Sequence, residues 1–166
     1  MAVMPYMAAI NRALAEEMAH DERVVVVGED VRTGMFGTTS GLVDRYGEHR
    51  VIDSPIWENG IAGIALGLAI TGLRPVAEIM FADFMYLAMD EIANQISSWT
   101  YMTGGQTTVP LVIRTAGGAG FAIGYNHSQV TEASFLNSPG LKIAVPSNPV
   151  DAYGLLKTAI RDDDPV

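Results

Sequence analysis

VIDSPIWENGIAGIALGLAITGLRPVAEIM, residues 51–80, carries two short apolar runs, VID and PVAEIM, on either side of an uncharged helical stretch. Read in order, it is a strand at 51–53, a helix running from Glu58 to about Leu73, and a strand at 75–80. Working outward, the same alternation continues. Upstream, Ile10, Leu14 and Met18 recur every four residues and predict an amphipathic helix over 5–20. RVVVV (23–27) is a continuous β-branched run, the mark of a strand buried on both faces. Ser40 is placed to cap a short helix through Tyr46. Downstream, a long helix is expected over 83–102, stopping at Gly104–Gly105. Strand VPLVIRT (109–115), a short helix near 129–136 and a fifth strand, LKIAV (141–145), follow. Asn148–Pro149 then opens a last helix to about Arg161.

Strands alternating with helices, the strands apolar throughout, predict one doubly wound α/β domain over residues 1–166, a parallel sheet with helices on both faces. In such folds ligands bind beyond the carboxyl ends of the strands. Three segments fall there: GEDVRTGMFG after the first strand, SPIWENG after the second and TAGGAGFAIGYNHSQ after the fourth.

Composition excludes several classes. The formal net charge is −9 with ten Lys and Arg, which argues against nucleic acid, because phosphate contacts need clustered cations. There is no Cys, so disulfides and thiolate metal sites are excluded, and the three His residues show no zinc-ligand spacing. MAVMPYMAAINRALAEEM lacks a basic leader, and the longest uncharged stretch, 59–73, is too short and glycine-rich to span a bilayer. A cytoplasmic protein with no membrane segment is expected. Only 17% of residues are charged, so part of the surface is expected to meet other protein.

Glu58 is the anomaly. A carboxylate costs energy to desolvate, yet it sits between apolar Ile56–Trp57 and a wholly uncharged helix. Either the tertiary structure supplies a partner or Glu58 faces water in a first turn that the helix dipole favours. Gly60, Gly63 and Gly67 share one stripe of its helix, each costing about 1 kcal/mol relative to Ala. Close helix approach, within the domain or across a subunit contact, or packing on the domain's own sheet, would offset that. In the loop at 116–124 the dinucleotide fingerprint fails, because Ile123 stands where the third Gly belongs. A loop passing close to a ligand is the better account.

SPIWENGIAG, RPVAEIMFADF, GGQTTVPLVIRT, NHSQ, PGLKIAVPSNPVDAYGLL and AIRDDDPV, in this order, resemble the beta subunit of the decarboxylating component of 2-oxo acid dehydrogenase complexes. That family includes the pyruvate, branched-chain and acetoin dehydrogenases. The resemblance implies a transketolase-like pyrimidine-binding domain for thiamine diphosphate, and a second, C-terminal domain that residues 1–166 do not include. It gives Glu58 the role of hydrogen-bonding N1′ of the aminopyrimidine, a task suited to low-dielectric surroundings such as Ile56, Trp57 and Ile61. The cofactor's thiazolium accepts the electrons released with CO2. Ile56 and Phe84 match residues against the aminopyrimidine, Phe84 as its stacking partner. Met80 falls where several members have Gln, acetoin-type members resemble this sequence at that position, and Trp57 replaces a usually small residue. His127 matches the histidine that faces the reacting carbon and the incoming lipoyl group, whereas His20 and His49 read as surface.

Three consecutive aspartates at a helix C-terminus oppose the macrodipole. The resemblance implies a potassium site there, built mostly of backbone oxygens at Leu111, Ala159, Ile160, Asp162 and Asp164; a solvated acidic end is the alternative. The Mg2+-diphosphate motif of the family belongs to an alpha subunit, so the cofactor is expected between subunits of an alpha-two beta-two heterotetramer docked on a lipoyl acyltransferase core. Two rival readings stand beside this one: a non-catalytic fragment that binds no cofactor alone, and an enzyme of transketolase or deoxyxylulose-phosphate synthase type.

Overall fold

The computed structural model describes residues 4–166. Helix α1 (Tyr6–His20) leads to strand β1 (Val24–Glu29), then α2 (Leu42–Tyr46), β2 (Val51–Ser54), α3 (Glu58–Ile70) and β3 (Arg74–Phe81). After a run of short helical turns come α4 (Trp99–Met102), β4 (Val112–Ala116) and α5 (Pro149–Arg161). The four strands form one parallel sheet in the order β2-β1-β3-β4. The doubly wound α/β fold expected from the sequence is what the chain adopts.

Period-two alternation sorts the strand side chains onto two cores. Val24 and Val26 join Leu14, Met18 and Leu156 under α1 and α5. Val27, Ala77 and Ile79 join Ile61, Leu66 and Ile92 under α3 and the turns after β3. The α1–α5 face is also clamped by charge: Arg161 Nε and Nη2 donate to Glu17 at 2.8 and 2.7 Å, and Lys157 Nζ donates to Glu16 at 2.6 Å. The strands approach closely where side chains are small. A Cβ on Gly28 of β1 would lie 2.5 Å from the Glu78 carbonyl oxygen of β3.

The helix expected over 83–102 is broken into a 3-10 turn at Ala82–Ala88, a π-helical turn at Glu91–Ile96 and α4. Ala88, Ile92 and Ile96 are all buried and recur every four residues, which drifts about 40° per step off a 3.6-residue helix. The wider turn at 91–96 keeps them on the core. Ser40 does not cap α2. Gly41 holds the N-cap position at φ +72°, and Ser40 Oγ donates to the Gly34 carbonyl. The short helix near 129–136 contracts to a 3-10 turn at Glu132–Phe135. Asn148 caps α5 as expected, its side-chain oxygen accepting from Val150 and Asp151 N–H at 3.0 and 2.9 Å.

The predicted fifth strand, LKIAV (141–145), carries no strand ladder. Its one backbone link outside the local turn is Lys142 N–H to Pro165 O at 2.9 Å. Next to β4 lies the segment 163–166 instead, so the apolar run has no extended neighbour long enough to pair with. No helix among the described residues is long and apolar enough to cross a membrane.

Candidate functional site

Because all four strands are parallel, their carboxyl ends share one edge. Glu29, ending β1, stands opposite Ser54 of β2, and Phe81, ending β3, stands opposite Ala116 of β4. The three loops singled out in the sequence leave from this edge, together with a fourth segment, Ala82–Ala88, after β3.

Glu58 opens α3, where free N–H groups favour a carboxylate. It is only 8% exposed, and it takes no hydrogen bond or ion pair from any described side chain. Burial, followed by the charges of Asp30 and Glu58, pushes the Glu29 carboxyl above its ordinary range. Glu29 therefore feels the negative charge of Glu58 at the sheet edge. Trp57 precedes the helix, and its indole folds back over the first turn. A Cβ on Gly60 would meet that ring at 2.2 Å, so the glycine is what admits it.

An aromatic cluster fills the other half of the edge. Phe81 contacts Phe36, Phe84 and Phe121 with ring centroids 5.6, 5.9 and 6.0 Å away. His127 stands edge-on to Phe81 at 4.7 Å and to Phe84 at 5.2 Å, and its Nδ1 lies 3.1 Å from Asn126 Oδ1. The loop that carries His127 is tied down at its end: Gln129 N–H donates to Asp83 Oδ2 at 3.3 Å, and Gly118 N–H donates to Gln129 O at 3.2 Å. Asp83 Oδ1 is buried with no partner among the described residues.

The structure thus brings His127 and Phe84 together, and α3 packs against the 82–88 turn that carries Phe84. Met80 is half-buried and borders a small recess with Glu29, Met35 and Phe36. Ile56 and Trp57 do not wall Glu58 in: they are 75% and 53% exposed, and of the three expected neighbours only Ile61 is buried. A Cβ on Gly63 or Gly67 would touch nothing within 4 Å, so that part of the glycine stripe does not serve packing within this chain. Phe36, Phe81, Phe121, Glu29 and Asp83 were not anticipated; an aromatic residue directly after a strand, as in FADF, is the signal that could have found Phe81.

The five residues of the expected potassium site share one corner, but their oxygens already have protein partners. Leu111 O accepts from Val166 N–H, Ala159 O from Asp162 N–H, and Ile160 O and Asp162 O from Arg74 Nη1 at 3.0 and 2.9 Å. The triple aspartate is balanced by protein cations. Lys142 Nζ lies 2.7 Å from Asp162 and 3.1 Å from Asp164, and Arg74 pairs with Asp163. Lys142 foremost holds the Asp162 carboxyl below its usual range. Among the described residues no three His, Asp or Glu side chains form a group able to hold a metal ion.

Residues 2–166 match the family described as "Transketolase, pyrimidine binding domain". The chain is 48% identical to 2-oxoisovalerate dehydrogenase subunit beta of Bacillus subtilis, across 100% of this chain and 51% of that one. It is 47% identical to pyruvate dehydrogenase E1 component subunit beta of Staphylococcus epidermidis, across 100% and 52%. Against acetoin:2,6-dichlorophenolindophenol oxidoreductase subunit beta of Bacillus subtilis the identity is 46%, across 95% and 50%. The chain spans about half the length of these curated relatives. Among solved structures, a split-gene transketolase described as an inactive beta4 tetramer superposes with a TM-score of 0.76 at 23% identity, covering 99% of this chain and 50% of that one. Transketolase from Leishmania mexicana superposes with a TM-score of 0.72 at 15% identity, covering 99% and 25%.

Proposed function

The chain belongs to the transketolase pyrimidine-binding domain family, and from that premise we propose that it is the cofactor-activating part of a thiamine-diphosphate-dependent 2-oxo acid or acetoin dehydrogenase, as the beta subunit. The relatives' names favour this over the transketolase-type reading. The observation that carries it is Glu58: a carboxylate shielded from water, at a helix N-terminus, with no partner among the described side chains. Such a group suits a ligand whose ring nitrogen can share a proton with it. The Phe84 ring on the adjoining turn, with the His127 ring of the β4 loop beside it, suits a flat heteroaromatic ligand. The residues present therefore fit the aminopyrimidine.

When bound, the cofactor supplies an electron sink for the carbon that loses CO2. Glu58 would share a hydrogen bond with its pyrimidine N1′, strengthened by the low exposure of the site. Phe84 orients the ring, and the exposed Ile56 packs against it. Met80 puts a thioether where a polar contact would otherwise be made. His127, steadied by Phe81 and Asn126, would serve transfer to a lipoyl group. An alpha subunit supplies the Mg2+-diphosphate half, and a lipoyl acyltransferase core receives the product. The exposed apolar residues Ile56, Trp57 and Ile64, beside the unpacked Gly63 and Gly67, support contact with another subunit on this face. A potassium ion at the 111/159/160/162/164 corner belongs to the same proposal and would have to draw carbonyls away from Arg74; a rise in thermal midpoint in KCl over choline chloride checks it.

The test is Glu58→Gln in a beta chain of the relatives' length, co-expressed with its alpha subunit. Turnover should fall by orders of magnitude with the melting temperature unchanged, because an amide cannot take part in the N1′ proton transfer. Near-normal decarboxylation would overturn the assignment.

A further inference from the structure

The four residues FADF (81–84), where β3 runs into the next turn, grip both ends of the loop that carries His127. The Phe81 ring lies 6.0 Å from Phe121 and 4.7 Å from His127, and the Phe84 ring lies 5.2 Å from His127. Ala82 meets the start of the loop. A Cβ on Gly117 would come within 3.1 Å of the Ala82 Cβ and 2.9 Å of the Gln129 carbonyl oxygen. Asp83 meets the end of the loop, where its Oδ2 accepts from Gln129 N–H at 3.3 Å. Gly118 N–H donates to Gln129 O at 3.2 Å and closes the base.

Between those ends the loop bonds only to itself. Ala122 N–H donates to Ala119 O, His127 N–H to Gly124 O, and Ser128 Oγ to Gly124 O. Among the described residues, none of 119–128 makes a hydrogen bond outside the loop. Ala122 sits at φ +53°, a left-handed conformation that a Cβ disfavours and that persists where the surroundings fix the backbone. Asp83 itself is buried, and its Oδ1 has no partner among the described residues. Desolvating a carboxylate for one backbone hydrogen bond returns little stability. What the acid adds at this position is a charge-assisted, directional tie.

We propose that Asp83 is a positioning residue for acyl transfer, an inference that rests on the role given to His127 above. Through the Gln129 N–H it fixes the trailing end of the loop, and with it the placement of the His127 ring against Phe81 and Phe84. The rings alone are too loose for this. Edge-on aromatic contacts tolerate centroid separations of about 4.5–7 Å. A reacting group needs to be held to within about 0.5 Å. A hydrogen bond from the residue two places after His127 to a side chain between Phe81 and Phe84 removes that slack.

The test uses a beta chain of the relatives' length, co-expressed with its alpha subunit and carrying Asp83→Ala, Asp83→Ser or Asp83→Asn. Asp83→Ala is also combined with His127→Ala. Asn keeps an oxygen within reach of Gln129 N–H, whereas the Ser hydroxyl is polar but too short. Hydrogen exchange of peptides spanning 117–130 should be roughly tenfold faster in the Ala and Ser variants than in the parent or Asp83→Asn, with β1 protected throughout. Lipoyl acylation should fall about tenfold in the same two variants and recover in Asp83→Asn. Adding Asp83→Ala to His127→Ala should slow it no further, since the two act as one unit. Parent-like exchange across 117–130 in the Ala and Ser variants overturns the proposal, as does an Asp83→Asn variant no better than Asp83→Ala. An additive loss in the double variant overturns it too, because Asp83 would then act elsewhere than through His127. So does loss of β1 protection in both variants, which would assign Asp83 to the fold as a whole. If His127→Ala acylates lipoyl at the parent rate, the reading of His127 fails and this role with it. Faster loop exchange in Asp83→Ala would tell that outcome from a failure of the tie.

Discussion

The ring of His127 stands edge-on to Phe81 with centroids 4.7 Å apart, and Phe81 is the last residue of β3. A loop side chain is thereby indexed to the rigid sheet. Phe81→Leu keeps an apolar side chain but removes the aromatic edge contacts, each worth roughly 0.5–1.5 kcal/mol. In the reconstituted complex it should slow acyl transfer to lipoyl by up to about tenfold and lower the melting temperature by only a few degrees, roughly 2–6 °C. His127→Ala should reduce lipoyl acylation at least as much as decarboxylation. Wild-type rates for His127→Ala with both an artificial acceptor and lipoyl would assign it a structural role.

In the proposed divided site this chain holds the aminopyrimidine and an alpha subunit the diphosphate, where charge-assisted contacts would be made. Stacking and one hydrogen bond, less the cost of immobilising the ligand, leave a Kd of about 1 mM or weaker. Calorimetry of residues 1–166 with thiamine diphosphate and Mg2+ should therefore show weak binding, and decarboxylation should be absent. Tight Mg2+-dependent binding by this chain alone would refute the divided site.

Acid should loosen the α1–α5 clamp. Lys157, Tyr153 and Arg12 hold the Glu16 carboxyl down to about 2, against an ordinary 4.5. A depressed folded-state pKa stabilises above the unfolded value and loses that stabilisation as pH falls through the folded one. Glu17 shifts the same way: burial pushes it up, but Arg161 and Lys157 outweigh burial. The melting temperature should fall between about pH 4.5 and pH 2, and Glu16→Gln should flatten that part of the profile. An unchanged profile in the variant would show that the clamp contributes nothing to acid stability.

Gly28→Ala should destabilise by about 1–3 kcal/mol, because its Cβ would collide with Glu78 backbone at the β1–β3 contact. That corresponds to a melting temperature roughly 2–12 °C lower, readable by circular dichroism. A variant that melts with the parent would mean the strands can separate there at no cost.

The apolar runs and the period of Ile10, Leu14 and Met18 were enough to set the parallel α/β sheet with helices on both faces. Local sequence fixes which residues seek burial, and strands buried on both faces leave few alternatives. The placement of Glu58 at the head of a helix and of His127 in a loop beyond β4 was legible for the same reason. Pairing was not. LKIAV has the composition of a strand, yet a ladder needs a neighbour, and the short 163–166 segment is what lies beside it. Nor could periodicity foresee the π-helical turn at 91–96, which exists because Ala88, Ile92 and Ile96 must all reach one core. The Phe36–Phe81–Phe121–His127 cluster joins the end of β3 to residues from two loops far apart in the chain. Only the common carboxyl edge of the parallel strands gathers them, because contacts across that edge depend on strand order and register, which no local stretch of sequence encodes.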